Sequence, residues 1–381
     1  MATQDHLPED LVVEILSWLP AKSLVRFKSV CRSWYVTITD HNFALKHFSN
    51  SFPNHILLKR LVTSESNNKE YVYSFLPYPL HLSGSVLNIF YPYLCYYPDE
   101  CEISNYDIRG HSHGLVCLSD LYTGIYLWNP STADIRELPP TIILAEPALT
   151  SVTNAVGFGY NSKTGDLKVV RVMYHADMTD MVRFIEVDHL PRVEIFDLSK
   201  NRWREIQTPV CGFVIWNPSF EMYYEGMFYW WAEDDDTEFI LSFDMSEEVF
   251  GRISVPESFE LDDEKYRSAG TLNGSMVLFH YPKSGDERMF DIWKMEKDFV
   301  GVSWTKVFTI APGFGIEKPL AFVSSAELLM EANEGQVVLH NINTQEVKDI
   351  PMEGNPPATF IRAVVFVQSL FSVMGGNNIA Y

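Results

Sequence analysis

One pattern recurs along most of this chain. A strand ends in a polar turn residue, and a short amphipathic strand follows about ten positions later. It occurs as Tyr126-Leu-Trp-Asn129 before Ile135-Arg-Glu-Leu138, and as Ile195-Phe-Asp197 before Trp203-Arg-Glu-Ile206. It returns as Ser242-Phe-Asp244 before Phe250-Gly-Arg-Ile253, as Ile292-Trp-Lys294 before Trp304-Thr-Lys-Val307, and as Leu339-His-Asn341 before Val347-Lys-Asp-Ile350. The closing residues of the first strands lie 68, 47, 50 and 47 positions apart.

Other β segments stand between these pairs. Val193 and Ile195 alternate on one face, and Gly114–Leu118, Leu167–Val172, Met227–Trp231, Phe239–Phe243, Ser275–Phe279 and Gln336–His340 read as further strands. Asn129-Pro130, Thr164-Gly165-Asp166, Asn273-Gly274, Ser284-Gly285-Asp286 and Glu334-Gly335 supply turns. A period near ~50 with several strands per unit is the spacing of a kelch-like β-propeller blade. A β-sandwich of roughly 100 residues would not fill the 330 available here. The long first interval predicts an insertion around Tyr174–Asp188. Ring closure predicts pairing of Ile56-Leu57-Leu58 with Val364-Val365-Phe366, which removes two sheet edges.

The first ~45 residues follow a different period. Leu11, Val12, Ile15, Leu16 and Leu19 recur with helical spacing, and Pro8 suits the first helical position. Glu9 and Asp10 place negative charge at the positive end of the helix dipole, and Pro20 ends the segment. Leu24, Phe27, Cys31 and Trp34 form a second helical stripe on which Cys31 is expected as a small buried hydrophobe. So few helices cannot bury their apolar residues among themselves. They require either the rest of the chain or a partner.

The run from Leu7-Pro8 through Ile15-Leu16-Ser17-Trp18-Leu19-Pro20, Lys22-Ser23-Leu24-Val25-Arg26-Phe27 and Val30-Cys31-Arg32-Ser33-Trp34 resembles an F-box. The resemblance implies docking onto the Skp adaptor, and through it the cullin, of a Skp–cullin–F-box (SCF) ubiquitin ligase. On the first segment the implied contacts are Leu7, Pro8, Leu11, Ile15, Leu16, Leu19 and Pro20. On the second they are Ser23, Leu24, Phe27, Val30, Cys31 and Trp34.

Beyond it, Trp128-Asn129-Pro130-Ser131-Thr132, Gly157-Phe158-Gly159-Tyr160, Lys168–Arg171, Phe243-Asp244-Met245, Asp291–Met295 and Ser303–Lys306 look like the F-box-associated domain of plant F-box proteins. Their order is most similar to the S-locus F-box and S-locus F-box-like branch. Leu167 stands where a tyrosine is usual and Ser131 where alanine is common. This branch implies a pollen protein that recognises non-self S-ribonucleases, typically basic, during self-incompatibility, and marks them for degradation.

Charge bears on the partner. The chain carries 50 acidic and 29 basic residues, net −21. Residues 1–50 hold five of each sign, so 45 acidic and 24 basic residues fall in the remainder. Such a field opposes nucleic acid and anionic lipid and favours a basic protein client. Acidic clusters at Asp99–Glu102, Glu233-Asp234-Asp235-Asp236 with Glu238, Glu260-Leu-Asp262-Asp263-Glu264 and Asp286-Glu287 lie between strands. Glu233, Asp234, Asp235, Asp236, Glu260, Asp262, Asp263 and Glu264 are the candidate client contacts, since loops on a rigid scaffold commonly carry recognition.

Signals for catalysis are weak. His111-Ser112-His113 has metal-pair spacing without a third ligand nearby and reads first as a turn before the Gly114 strand. Gly157-Phe-Gly159 lacks the third glycine and the following helix of a dinucleotide loop. Asp234–Asp236 lacks the glycine and distal glutamate of a calcium loop. No Gly-x-Ser-x-Gly elbow occurs. Asn273-Gly274-Ser275 is a glycosylation sequon and also a favoured hairpin turn. The Tyr71–Pro98 segment, dense in tyrosine and proline, offers either an aromatic face or packing between head and first blade. No cofactor, metal or catalytic residue is assigned.

Five cysteines without a Cys-x-x-Cys pair point to a reducing compartment, cytosol or nucleus; the S-locus reading would make it the pollen-tube cytosol. No apolar run reaches a membrane span, and the opening residues lack a signal-peptide pattern. The expectation is an α+β chain: a small all-α F-box (residues 1–48), a mainly β F-box-associated domain (52–372) forming an irregular kelch-like propeller, and a tail (373–381). Its expected role is non-catalytic client recognition for an SCF ligase, with an S-ribonuclease client in pollen. The alternatives are an adaptor for an unrelated cytosolic client and, remotely, a glycan-binding or enzymatic propeller.

Overall fold

The computed structural model describes residues 7–53, 55–63, 69–79, 87–89, 106–119, 124–144, 150–176, 191–210, 212–214, 221–234, 237–259, 265–282, 289–297, 301–311, 313, 315–352 and 362–375. Four helices come first: α1 (Glu9–Ser17), α2 (Ala21–Phe27), α3 (Arg32–Thr39) and α4 (His41–Asn50). Pro8 and Pro20 stand immediately ahead of α1 and α2, as caps rather than as first helical residues. Asp40 caps α4 by accepting from the Phe43 N–H at 3.1 Å.

The stripe from Leu24 to Trp34 is not one helix. The chain leaves α2 after Phe27, and Cys31 is extended (φ −160°) at the N-cap of α3. Cys31 is exposed, which corrects the expectation of a buried residue there. Phe27 and Trp34 still meet across the break, with ring centroids 5.4 Å apart.

The body is a six-bladed propeller. The first blade holds β1 (His55–Thr63), β2 (Lys69–Pro77) and β3 (Leu87–Ile89); the second holds β4 (Asp107–Ser112), β5 (Leu115–Ser119), β6 (Ile125–Asn129) and β7 (Asp134–Glu137). The third comprises β8 (Thr150–Asn161), β9 (Asp166–Ala176), β10 (Arg192–Asp197) and β11 (Arg202–Ile206). The fourth pairs β12 (Phe213–Val214) and β13 (Met222–Tyr224) with β14 (Met227–Asp234), followed by β15 (Thr237–Asp244) and β16 (Phe250–Ser254). The fifth runs through β17 (Lys265–Leu272), β18 (Ser275–Pro282), β19 (Phe290–Lys297) and β20 (Val302–Ile310). The sixth contains β21 (Ile316–Phe322), β22 (Glu327–Ala332), β23 (Val337–Asn341) and β24 (Val347–Ile350).

The last strand, β25 (Arg362–Phe366), returns to the first blade and closes the ring. Ile56 pairs with Val365 and Leu57 with Val364, as closure predicts. The periodic sequence pattern corresponds to the outer hairpin of five blades, from β6–β7 to β23–β24. The long first interval contains the two longest strands, β8 and β9; the expected insertion beyond residue 176 lies outside the described residues. Asn273-Gly274, with φ of 50° and 66°, makes the β17–β18 turn.

One apolar cluster fills each seam between adjoining blades, and six seams complete the circle. Strand β14 shows the consequence for sequence. Phe228 and Trp230 pack toward the third blade while Tyr229 and Trp231 pack toward the fifth. A strand buried on both faces reads as a continuous apolar run rather than an alternation. Gly157 on β8 is required by this packing, since a Cβ there would lie 2.6 Å from the Trp230 ring.

The helices sit on one seam only, that between the second and third blades. Leu16, Leu24 and Phe43 join Leu115, Phe158 and Leu167 in a single cluster. Residues 367–375 run between helices and blades, adding Leu370, Phe371 and Val373. Asn129 Nδ2 holds this strap by donating to the Ser369 and Phe371 carbonyls at 3.1 and 2.8 Å. Val373, at the start of the expected tail, is buried. Gly114 (φ 73°) lets the β4–β5 turn pass the strap, where a Cβ would meet the Ser369 Cβ at 2.2 Å.

Candidate docking surface and axial channel

The helical head has two faces. Inward, Leu16 and Leu24 are 2% and 0% exposed, so these two expected adaptor contacts already belong to the core of the chain itself. Outward, Leu11 is 51%, Ile15 53% and Trp18 59% exposed, at positions three to seven apart on α1 and its end. Leu7, Pro8, Pro20, Val30 and Cys31 are also exposed. Leu19, Ser23, Phe27 and Trp34 are half-buried.

Sequence reasoning missed Trp18, Tyr35 and Val36, three more apolar side chains on the outer surface. The signal for Trp18 was available, because it continues the Leu11–Ile15 spacing. The head is braced internally: His47 Nε2 donates to the Leu19 carbonyl at 2.9 Å, and Lys46 pairs with Glu14 at 2.6 Å. It is braced against the ring by His113, in the turn before Gly114. That imidazole stacks on Phe48 at 4.8 Å and lies 4.0 Å from the Tyr160 ring. Burial and the neighbouring His41 push its pKa down to about 4.

Antiparallel alternation places the β4–β5, β8–β9 and β15–β16 turns at the end of the ring that carries the helices. The β14–β15 turn therefore points to the opposite face, as its register requires. Of the candidate client contacts, Glu233 and Asp234 end β14 on that opposite face. Asp234 is already paired with Arg252, and the neighbouring Glu238 with Arg267 at 3.1 Å. Asp235, Asp236, Glu260, Asp262, Asp263 and Glu264 lie outside the described residues, as do Asp99–Glu102 and Asp286-Glu287.

The axis of the ring is a channel whose far end is tied by charges. Arg109 Nη1 donates to both Glu221 carboxylate oxygens at 3.0 and 3.2 Å. Arg362 donates to the Glu221 carboxylate at 3.3 Å and to its carbonyl at 2.8 Å. Lys59 and Arg362 flank Asp107 at 3.4 and 3.6 Å. Burial pushes Lys59 down to about 8. Burial alone would raise the Asp107 carboxyl, but Lys59, Arg362 and Arg109 more than offset it and hold it below the usual range.

The His111–His113 spacing does not converge. His111 lines the channel while His113 packs under the helices. Among the described residues no group of three or more histidines, cysteines or carboxylates could hold a metal ion. Gly157-Phe-Gly159 lies inside strand β8 and leads to another strand. No helix among the described residues is long and apolar enough to cross a membrane.

A six-bladed propeller that carries a short helical bundle on one seam, with that bundle's apolar outer face exposed, is the architecture defined so far. Residues 5–46 match the F-box domain, and residues 83–373 match the F-box associated beta propeller domain. The chain belongs to the F-box proteins that carry an F-box associated beta propeller domain. It is 26% identical to F-box protein CPR1 of Arabidopsis thaliana, over 98% of this chain and 91% of that protein. Two F-box/kelch-repeat proteins of the same plant are 26% and 27% identical, covering 89% and 90% of this chain and 84% and 89% of theirs. Among solved structures, oligogalacturonate lyase in complex with manganese overlaps 73% of this chain and 70% of its own at 10% identity and a TM-score of 0.39. Likeness that loose carries nothing about activity.

Proposed function

We propose that this chain is the non-catalytic client-recognition subunit of an SCF-type ubiquitin ligase, docking a Skp-type adaptor through its helices and a protein client through its ring. The observation that carries the reading is the two-sidedness of the head: Leu16 and Leu24 lock it to the ring while Leu11, Ile15 and Trp18 stay exposed. Burying such side chains is worth roughly 1.5–3 kcal/mol each, so a handful suffices for stable docking. The remaining outward candidates, Leu7, Pro8, Pro20, Val30 and Cys31, are exposed as well. The contribution to ubiquitin transfer is proximity, raising the effective concentration of client lysines near the conjugating enzyme.

Leu11→Asp with Ile15→Asp tests this directly. The double variant should lose capture by purified Skp adaptor while retaining the wild-type unfolding transition. Undiminished capture refutes the docking face.

The client we favour is a basic protein met by the face opposite the helices, in a cytosolic or nuclear setting. Support comes from the acidic surplus of 45 to 24 beyond residue 50. The in-chain pairing of Asp234 and Glu238 leaves less of that surplus free than the sequence suggests. Within this reading, a non-self S-ribonuclease in pollen is the instance implied by the S-locus resemblance. Passing pistil and leaf extracts over the adaptor-bound chain at two salt concentrations separates the cases. Salt-sensitive retention of basic ribonucleases from pistil supports the S-ribonuclease client, whereas a protein retained from both tissues identifies a general degradation client.

A further inference from the structure

The axial channel contains a cavity of about 140 Å³ walled by β4, β13, β17, β21 and β25. At ~10–15 Å³ per water-sized centre it has room for roughly ten such centres. Most of the wall is apolar, including Leu320, Val364 and Val365. Three polar residues interrupt it.

The first is His111. A β-bulge in β4 between Ile108 and Gly110 shifts the register, and the His111 side chain lines the cavity. No described residue makes a hydrogen bond to its ring. The second is Ser268 on β17, which lines the cavity and is 3% exposed; its hydroxyl is shielded from water and has no hydrogen-bond partner among the described residues. The third is Arg362 on β25. Its two hydrogen bonds go to Glu221 and its Nη1 also lies 3.6 Å from the Asp107 carboxylate, so of its five N–H groups the Nε–H has no partner among the described residues.

The sign of the potential follows from the same residues. Two carboxylates, Glu221 and Asp107, face three cations, Arg109, Arg362 and Lys59, which leaves the cluster with an excess of positive charge. At His111 burial is the main influence, and the Arg362 charge is the electrostatic one; together they push the imidazole down to about 4, so the ring is neutral at pH 7. A neutral imidazole can donate to a ligand oxygen, and a positive potential inside apolar walls favours an anion. A polar cluster inside an otherwise apolar pocket is the usual build of a small-molecule site.

We propose that the axial channel binds a small organic carboxylate, with its carboxylate against Arg362 and His111 and its apolar body against Leu320, Val364 and Val365. This site is independent of adaptor docking and holds whether or not the chain joins a ligase.

Benzoate is a suitable probe, because it pairs one carboxylate with a compact apolar body. Titration calorimetry on the full chain at pH 7 should give saturable 1:1 binding with a Kd of about 1 mM or tighter. Benzamide, uncharged and of the same shape, should bind at least about ten-fold more weakly, and inorganic phosphate likewise, since it cannot fill the apolar space. Arg362→Gln should lose about ten-fold in benzoate affinity. His111→Phe leaves the Arg109–Glu221–Arg362 ties in place and should weaken binding similarly, so it decides the matter if the arginine variant does not fold. Benzoate should also raise the His111 pKa, read from its ring-proton chemical shift. Absence of saturable binding, equal binding of benzamide or of phosphate, or an unaltered Kd in His111→Phe each overturns the assignment.

Discussion

The ring and the helical head meet the same requirement, removal of apolar surface from water, in opposite ways. Every seam of the ring holds its own cluster, and β25 pairs with β1 so that the circle has no open join. The head contributes Leu16, Leu24, Ile38, Phe43 and Ala44 to one of those seams and leaves Leu11, Ile15 and Trp18 outside. A closed ring is complete in itself. A small bundle is not, and its unsatisfied face is where a partner gains most from binding.

The comparison can be broken at its strongest point by ending the chain after residue 361. That removes β25 and the strap, so the first blade loses its closing strand and the head its underlay. The expected result is loss of the single cooperative unfolding transition, seen in denaturant titration by circular dichroism. A preserved transition would mean that ring closure does not hold the body together.

A sharper contrast lies within the head. Leu24→Ala, at the seam, should cost about 2–5 kcal/mol in denaturant unfolding. Leu11→Ala, on the outer face, should stay within about 0.5 kcal/mol and act only on adaptor capture. Equal costs at the two positions would erase the distinction between the faces.

Acid should destabilise the ring and its junction with the head next. His111 and His113 have pKa values pushed down to about 4, against about 6.5 for an unfolded histidine. Both rings are favoured neutral in the folded chain. Their contribution is therefore whole above pH 6.5 and drains as pH falls toward 4, on the order of 3 kcal/mol for each ring. Unfolding free energies measured from pH 7 to pH 4 should decline, and His113→Phe, which keeps the stacking on Phe48, should flatten that decline. An unchanged slope would remove His113 from the junction's pH dependence.

Smaller still is Asn129→Ala, which frees the Ser369 and Phe371 carbonyls of the strap and should cost about 1–3 kcal/mol, read by the same titration. The least effect is expected from Asp234→Asn. Its pair with Arg252 is solvent-exposed on the opposite face and should be worth no more than about 1 kcal/mol.

Much of the head was legible because helical spacing is local. The Leu11–Ile15 and Leu16–Leu19 stripes predict α1 correctly, yet spacing alone does not say which stripe faces inward. Leu16 turns to the ring and Ile15 away from it because one seam of the ring lies beneath the former. Cys31 was misplaced for a similar reason. Its three- and four-residue spacing survives across a break between two helices, so periodicity reads through a turn that the backbone takes. In the body, the outer hairpins were visible because their strands end in polar turn residues. The central strands, buried on both faces, give runs such as Met227–Ala232 that mark burial but not the neighbour.

The channel was not legible at all. His111, Glu221, Ser268 and Arg362 come from four blades and lie far apart in the chain, and no local period links them.

By itself the sequence determined the kinds of element, the roughly fifty-residue unit, the helical head and the strand that closes the ring. Each of these is written in short-range spacing, turn chemistry or a complementary pair of apolar runs. Only the tertiary structure decided that six blades complete the circle, that the head rests on the seam between the second and third, and that four distant polar residues share one axial cavity. Those outcomes depend on how twisted sheets pack around an axis, and that geometry emerges from all the blades together.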